Sequence, residues 1–302
     1  MHEITRTIAA AKRVIDAKKR GVLATVVATS GSTYRRAGAR AVISEDGEAF
    51  GTISGGCLER DLAERVAVWL SDFTPRVIHY DATKMTDIVF GLGLGCRGEI
   101  DLLIEPFDAA HPPRLVTHFQ WNGREPVIWT TSHEGRELLV ESIRPERAIA
   151  IFGGGADVEP VARLAQHAGM RAAVIAPKDV HPEEVREKVD LTAFDAAIVM
   201  THNFLHDLAL LAALLPSPIE YVGLLGPKSR GDDLLWQLGA IPPQWRDKLR
   251  SPIGLDLGGE TPEEIALAIV AEVQAVLNQR SGQSLREING PIHAPRDVLS
   301  CT

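Results

Sequence analysis

The chain has 302 residues, a formal net charge of −8, 45% hydrophobic residues and 24% charged residues. That is room for two domains with separate cores in a soluble globular protein. The acidic balance argues against nucleic acid as a partner, and no apolar run approaches the roughly 20 residues needed to cross a bilayer.

The N-terminus lacks the layout of a signal peptide, and three cysteines (Cys57, Cys96 and Cys301) do not make a disulfide framework. The expectation is a cytoplasmic protein. Residues 3–20 place Ile4, Ile8, Ala11 and Ile15 on one face with basic residues opposite, which predicts an amphipathic helix ended by Gly21. Val22–Thr29 reads as a buried strand. It runs into Gly31-Ser32-Thr33-Tyr34-Arg35-Arg36-Ala37-Gly38-Ala39-Arg40. Glycines let a backbone approach a ligand closely, and arginines make bidentate contacts to phosphate. Ser32, Thr33, Arg35, Arg36 and Arg40 are therefore candidate anion-binding residues.

Ala39–Ser44 and Glu48–Ile53 flank Asp46-Gly47 and predict a hairpin. It ends in Ser54-Gly55-Gly56-Cys57-Leu58-Glu59, just ahead of a helix predicted over about 59–70. Amides at a helix start favour an anion, and a thiolate there would be stabilised by the same field and can ligate a soft metal. Ser54, Gly55, Gly56 and Cys57 join the candidates. The plainer alternatives are a turn and a small buried hydrophobe, and for each arginine a surface ion pair.

Arg76–Tyr80 is a further strand. The run Phe90-Gly91-Leu92-Gly93-Leu94-Gly95-Cys96-Arg97-Gly98-Glu99 is another candidate phosphate or cofactor loop, through Gly95 and Cys96, and leads into a strand at Ile100–Ile104. Residues 106–125 carry Pro, His and Gly breaks and show no clear element. Val127–Thr131 and Glu137–Ser142 predict a second hairpin. Residues 1–145 thus form a mixed α+β domain. His79-Tyr80-Asp81 reads as a strand end with polar tips, and Glu99, Asp101 and Glu105 do not pair as catalytic carboxylates. No His/Cys/Asp spacing along the chain fits a stable zinc or iron–sulfur site.

From Ala148–Phe152 onward, apolar strands near 172–176, 194–200 and 220–225 alternate with helices near 158–169, 205–215 and 262–279. This predicts a Rossmann-like, doubly wound parallel-sheet domain over 146–280, and hence an α/β protein overall. Residues 281–302 read as a polar tail. Gly153-x-Gly155-x-x-Val158 sits where a dinucleotide fingerprint would sit, making Gly153 and Gly155 candidates for a phosphate. Val158 at the third glycine position is expected to hold helix and strand apart. The second strand ends in Val174-Ile175-Ala176-Pro177-Lys178 without a carboxylate for a ribose 2′-hydroxyl, which argues against NAD, while Lys178 could instead favour a phosphate; NAD(P) is not the expected cofactor. His202 follows a strand end, where doubly wound folds place ligand residues; a structural hydrogen bond to the loop is the other reading.

Several of these stretches resemble one family. Gly31-Ser32-Thr33 with Arg36 and Gly38-Ala39-Arg40, Gly55-Gly56-Cys57-Leu58-Glu59, and Gly95-Cys96-x-Gly98 resemble the N-terminal domain of XdhC/CoxI-type proteins. Val199-Met200-Thr201-His202-Asn203, Tyr221-Val222-Gly223-Leu224-Leu225-Gly226 and Pro252-Ile253-Gly254-Leu255-Asp256-Leu257-Gly258 resemble its C-terminal domain, as do Thr261-Pro262-Glu263-Glu264-Ile265-Ala266 and Gly290-Pro291-Ile292. The resemblance implies a chaperone rather than a catalyst. Such a protein binds molybdenum cofactor (molybdopterin) as cargo, protects it during sulfuration by a cysteine desulfurase, and delivers it to a xanthine dehydrogenase-type molybdenum hydroxylase. It further implies a homodimer, with Cys57 as the residue that meets the molybdenum or relays sulfur. The family loop usually reads G-A-G-H-V-A, whereas here Ala156 replaces the histidine and Asp157 follows. Two other readings stay open, an NAD(P)-dependent oxidoreductase and a Cys57-dependent sulfur transferase.

Overall fold

A computed structural model of the chain describes residues 3–81 and 98–289. The chain divides between Pro145 and Glu146 into two compact units.

The N-terminal unit opens on α1 (Glu3–Asp16), which buries Ile4, Ala10, Ala11 and Val14. There follow β1 (Gly21–Gly31), β2 (Arg40–Ser44), β3 (Ala49–Gly51), α2 (Cys57–Glu64), α3 (Val66–Ser71), β4 (Arg76–Asp81) and β5 (Gly98–Phe107). After these come α4 (Arg114–His118), within the stretch whose breaks hid it, and the hairpin β6 (Val127–His133) and β7 (Arg136–Ile143). The main sheet is antiparallel in the order β3-β2-β1-β5-β4. Strand alternation gives it two apolar faces. Val22, Ala24, Val26, Leu102 and Ile104 pack with Leu58 and Leu62 of α2 and Trp69 of α3. Leu23 and Val42 point the other way, to Ile4 and Val14 of α1 and to Trp129. The single helix expected over 59–70 is interrupted at Arg65 (φ −104°, ψ 6°). That guanidinium lies 4.5 Å from the Trp69 ring centroid.

The C-terminal unit runs β8 (Ala148–Phe152), α5 (Val158–His167), β9 (Arg171–Ile175), α6 (Val185–Lys188), β10 (Ala196–Val199), α7 (Phe204–Leu214) and β11 (Tyr221–Leu224). It continues through α8 (Lys228–Leu238), α9 (Pro243–Lys248), β12 (Leu249–Arg250) and α10 (Pro262–Leu277). Its sheet, β12-β11-β10-β8-β9, is parallel throughout. Ile149, Ile151 and Ile198 face Val161 of α5 and Ile269 and Val273 of α10. Ala150, Phe152 and Val199 face Leu210, Leu211 and Leu214 of α7 and Leu234 of α8. Helices on both faces explain why the central strands β8 and β10 are apolar at every position. Thr261 caps α10 reciprocally with Glu264, and Pro262 supplies a first residue that has no N–H to satisfy. Counted from β8, the strand order is 2-1-3-4-5. The winding direction therefore reverses between β8 and β10, and ligands of such sheets bind at the carboxyl ends of the strands at that point.

Among the described residues no helix is long and apolar enough to cross a membrane.

Candidate functional site

The ladders bring the sequence motifs of the N-terminal unit to one end of its sheet. Thr25 pairs with Arg40, Ala41 with Gly51, and Gly31 with Gly98. The loop after β1, the loop after β3 and the start of β5 therefore emerge side by side. Gly98 shows how closely: a Cβ there would fall 2.6 Å from the Ser30 carbonyl oxygen and 2.7 Å from that of Ser32. Glycine is thus a packing requirement where β5 passes beneath the first loop.

The second loop is organised by a residue outside the predicted set. Glu59, buried in the first turn of α2, accepts hydrogen bonds at Oε1 from the amides of Ile53 (2.7 Å) and Ser54 (2.9 Å). Its Oε2 accepts from the Ser54 hydroxyl and the Gly56 amide (3.1 Å). Ser54 Oγ in turn accepts from the Leu58 amide at 3.0 Å. Burial alone would raise the Glu59 pKa; the bonds from the Ser54 hydroxyl and from the Ser54 and Ile53 amides outweigh it and hold the carboxyl below its ordinary value. Ser54 is consequently buried and spent on holding the loop. Gly56 has φ 111°, which requires glycine. Gly55 and Gly56 are exposed, and a Cβ at either meets nothing within 4 Å. Cys57 follows as a half-buried free thiol at the first residue of α2.

The three arginines part company here. Arg40 does not line a phosphate cradle. Its guanidinium is 5% exposed, pairs with the Glu141 carboxylate of β7 and donates to the Gly38 carbonyl at 2.8 Å. A charge so deeply buried needs a fixed counter-ion, and Glu141 is that ion. Arg35 is ion-paired with Glu3 of α1, which makes it a clamp on the helix start rather than a free phosphate ligand. Arg36 is half-buried within the loop. Ser32 is exposed, and the Thr33 hydroxyl donates to the Arg35 carbonyl at 2.8 Å. Gly95 and Cys96 lie outside the described residues.

A small polar cleft of about 30 Å³ opens in this unit beside Thr25, Arg40, Glu105, Arg114, Trp129 and Thr131. Arg114 lies 5.0 Å from the Trp129 ring centroid and donates to the Thr130 carbonyl at 3.0 Å. Burial pushes the Glu105 carboxyl up to about 7 against the opposing pull of Arg40 and Arg114. That volume suits one or two waters and no organic ligand.

In the C-terminal unit the glycine loop after β8 meets the segment after β10 at the switch point. His202, in the left-handed region at φ 57°, places Nε2 2.8 Å from Asp157 Oδ2. Asn203 caps α7 by accepting from the amides of Leu205 and His206. A Cβ on Gly155 would fall against Asp157 Oδ1, so the carboxylate lies over the glycine loop itself. Gly153 serves the fold: a Cβ there would come 2.6 Å from the Met200 carbonyl oxygen and 2.9 Å from Val158 Cγ2. The spreading expected from Val158 is offset in this way, because the missing Cβ makes room for a buried valine. Behind the site, Arg230 donates from Nε (3.2 Å) and Nη2 (2.6 Å) to Asp207 Oδ2, and the Thr201 hydroxyl donates to Oδ1.

Sequence reasoning missed Glu59 and Glu105; for His202 the alternative of a hydrogen bond to the glycine loop is the one the structure supplies, through Asp157. Glu59 left a signal, a glutamate three residues after Gly56, which precedes the helix. The setting of Glu105 arises from contacts between strands and loops distant in sequence.

Known proteins share both units. The model of the XdhC and CoxI family matches residues 14–81, and that of the XdhC Rossmann domain matches residues 149–273. The chain is 29% identical over 315 residues to a Bacillus subtilis (strain 168) protein described as a probable xanthine dehydrogenase subunit, covering 86% of this chain and 94% of that one. It is 25% identical over 276 residues to the molybdenum cofactor insertion chaperone PaoD of Escherichia coli (strain K12), covering 85% and 84% of the two. A crystal structure described as a xanthine dehydrogenase from Bacillus halodurans superposes with a TM-score of 0.75 at 28% identity, over 91% of this chain and 96% of that one. With its N-terminal segment and its parallel-sheet domain each matched by a model of the same family, the chain belongs to the XdhC and CoxI family.

Proposed function

We propose that the protein is an accessory chaperone that binds molybdenum cofactor, shelters it during sulfuration and passes it to a xanthine dehydrogenase-type hydroxylase. The names of the Bacillus subtilis and Escherichia coli relatives support the cargo and the client. The observation in this chain that carries the reading is the loop Gly55-Gly56-Cys57. It is open on its outer side, held from beneath by Glu59, and ends in a thiol at a helix start. Such a loop offers backbone to a planar pterin and a soft donor to its metal. Ser32 of the neighbouring loop is assigned to the cargo's phosphate; Thr33, Arg35 and Arg40 are held by the Arg35 carbonyl, Glu3 and Glu141 respectively and are not. A cysteine desulfurase as sulfur donor and a homodimeric assembly rest on the family resemblance alone. The Asp157 carboxylate over the second glycine loop disfavours the pyrophosphate of NAD(P) by like-charge repulsion.

The test is equilibrium binding of molybdenum cofactor to wild-type, Cys57→Ala and Gly55→Ala protein, with NADPH in parallel. Cys57→Ala is expected to weaken the metal-bearing cofactor more than the metal-free pterin. Gly55 has neither a positive φ nor a neighbour that a methyl would strike, so Gly55→Ala should fold normally yet lose affinity. Equal binding by all three proteins, or binding of NADPH alone, refutes the assignment.

A further inference from the structure

Read along the chain, the sequence has no metal-ligand spacing; the fold assembles one across two strands. His79 and Asp81 stand two apart on β4 and share a face, as do Glu99 and Asp101 on β5. The register sets His79 opposite Asp101 and Asp81 opposite Glu99. Ligand atoms of His79, Asp81 and Glu99 all lie within 4.8 Å of one another. Nitrogen and oxygen ligands sit about 2.0–2.2 Å from a zinc-sized ion, so a small side-chain adjustment closes the three around one centre. The outer partners are also in place. Asp101 Oδ1 is 2.7 Å from His79 Nδ1, which leaves Nε2 as the nitrogen for an ion. Metal-binding imidazoles are generally held by a carboxylate in this way. The Ser30 hydroxyl donates to Glu99 Oε2 at 3.0 Å and orients that carboxylate from β1.

We propose that His79, Asp81 and Glu99 bind one first-row divalent cation of the zinc–manganese class, with Asp101 as the residue that positions the imidazole. One nitrogen and two carboxylate oxygens suit that class, and the imidazole favours it over magnesium or calcium. The ion ties β4 to β5 at the sheet end that carries the glycine loops. Nothing in this assignment depends on the cofactor-carrier reading.

The experiment is calorimetric titration of the full, chelator-treated chain with zinc, manganese and magnesium chlorides, in a background with its three cysteines changed to serine. Cobalt absorption spectra on the same protein report coordination number. One zinc per chain is expected, with magnesium far weaker. His79→Ala and Glu99→Gln should each weaken zinc at least about 10-fold, and Asp101→Asn by about 10–100-fold. The His79 side chain is 55% exposed, so these variants should keep the wild-type far-UV spectrum. No saturable zinc binding up to about 1 mM (about −4 kcal/mol), or wild-type affinity in His79→Ala, overturns the proposal. Neither result touches the molybdenum cofactor assignment, which is read with a different probe.

Discussion

Glu59 offers the sharpest test of how the candidate loop is built. Changing it to glutamine keeps the shape and the acceptor at Oε1, which the amides of Ile53 and Ser54 use. It replaces Oε2 by an NH₂ group, which then faces the Ser54 hydroxyl and the Gly56 amide. The hydroxyl already accepts from the amides of Leu58 (3.0 Å) and Gly56 (3.2 Å) and takes the new NH₂ poorly, and the Gly56 amide keeps only that longer bond. The loss is one charge-assisted bond to a backbone donor, worth about 1.5–3 kcal/mol, and weaker bonds at the retained oxygen. A total near 3 kcal/mol corresponds to a fall in Tm of about 6–10 °C for a unit of this size. The sign of the pH dependence follows from the lowered pKa. The ionised carboxylate stabilises the fold above its unfolded pKa, and that contribution is lost as pH falls through the folded value. Glu59→Gln should therefore flatten the acid limb of wild-type stability and cost most at neutral pH. Calorimetry from pH 3 to 8, with the rate of Cys57 alkylation as a local readout, measures both. A variant within about 0.5 kcal/mol of wild type at pH 7, with unchanged Cys57 reactivity, would mean that Glu59 does not hold the loop.

Other perturbations have distinct signatures. Arg40→Ala leaves the Glu141 carboxylate buried without its partner and should destabilise the chain by about 3–5 kcal/mol; denaturant titration measures this, and a near-neutral variant refutes the buried-pair reading. Any loss of cargo binding in that variant would then come through folding rather than through a phosphate contact. Glu105, with its carboxyl at about 7 against an ordinary value of 4.5, acts with the opposite sign to Glu59. It costs nothing below the unfolded value, and its destabilisation grows to about 3 kcal/mol as pH rises past 7. Glu105→Gln should therefore stabilise the protein at pH 8 and leave it unchanged near pH 4.5, and an equal effect at both pH values excludes the mechanism.

The parallel sheet was legible because its central strands are covered on both faces, so Ala148–Phe152 reads as an unbroken apolar run. The N-terminal hairpins were legible from Asp46-Gly47 and from alternation. The interruption at Arg65 was not, since the side chains on either side continue the same helical face. In the candidate site, Gly55, Gly56 and Cys57 carry their chemistry in local sequence. Arg40 misled for the opposite reason. Its partner Glu141 is 101 residues away, and an arginine in a glycine-rich loop looks the same whether it faces a ligand or a buried carboxylate. The same limit applies to His79, Asp81 and Glu99, whose proximity is created by strand pairing.

The way the C-terminal unit is closed has a further consequence. Arg147, two residues past the division, donates to Asp195 at 3.0 Å and to the Leu277 carbonyl at 2.9 Å, while Asp195 accepts from the Ala148 amide at 2.6 Å. The first strand and the last helix are thus fastened at a single point, close to where the chain enters the unit. Fraying of the last turn of α10 is thereby coupled to opening at the start of the sheet's first strand, although 130 residues separate Arg147 from Leu277.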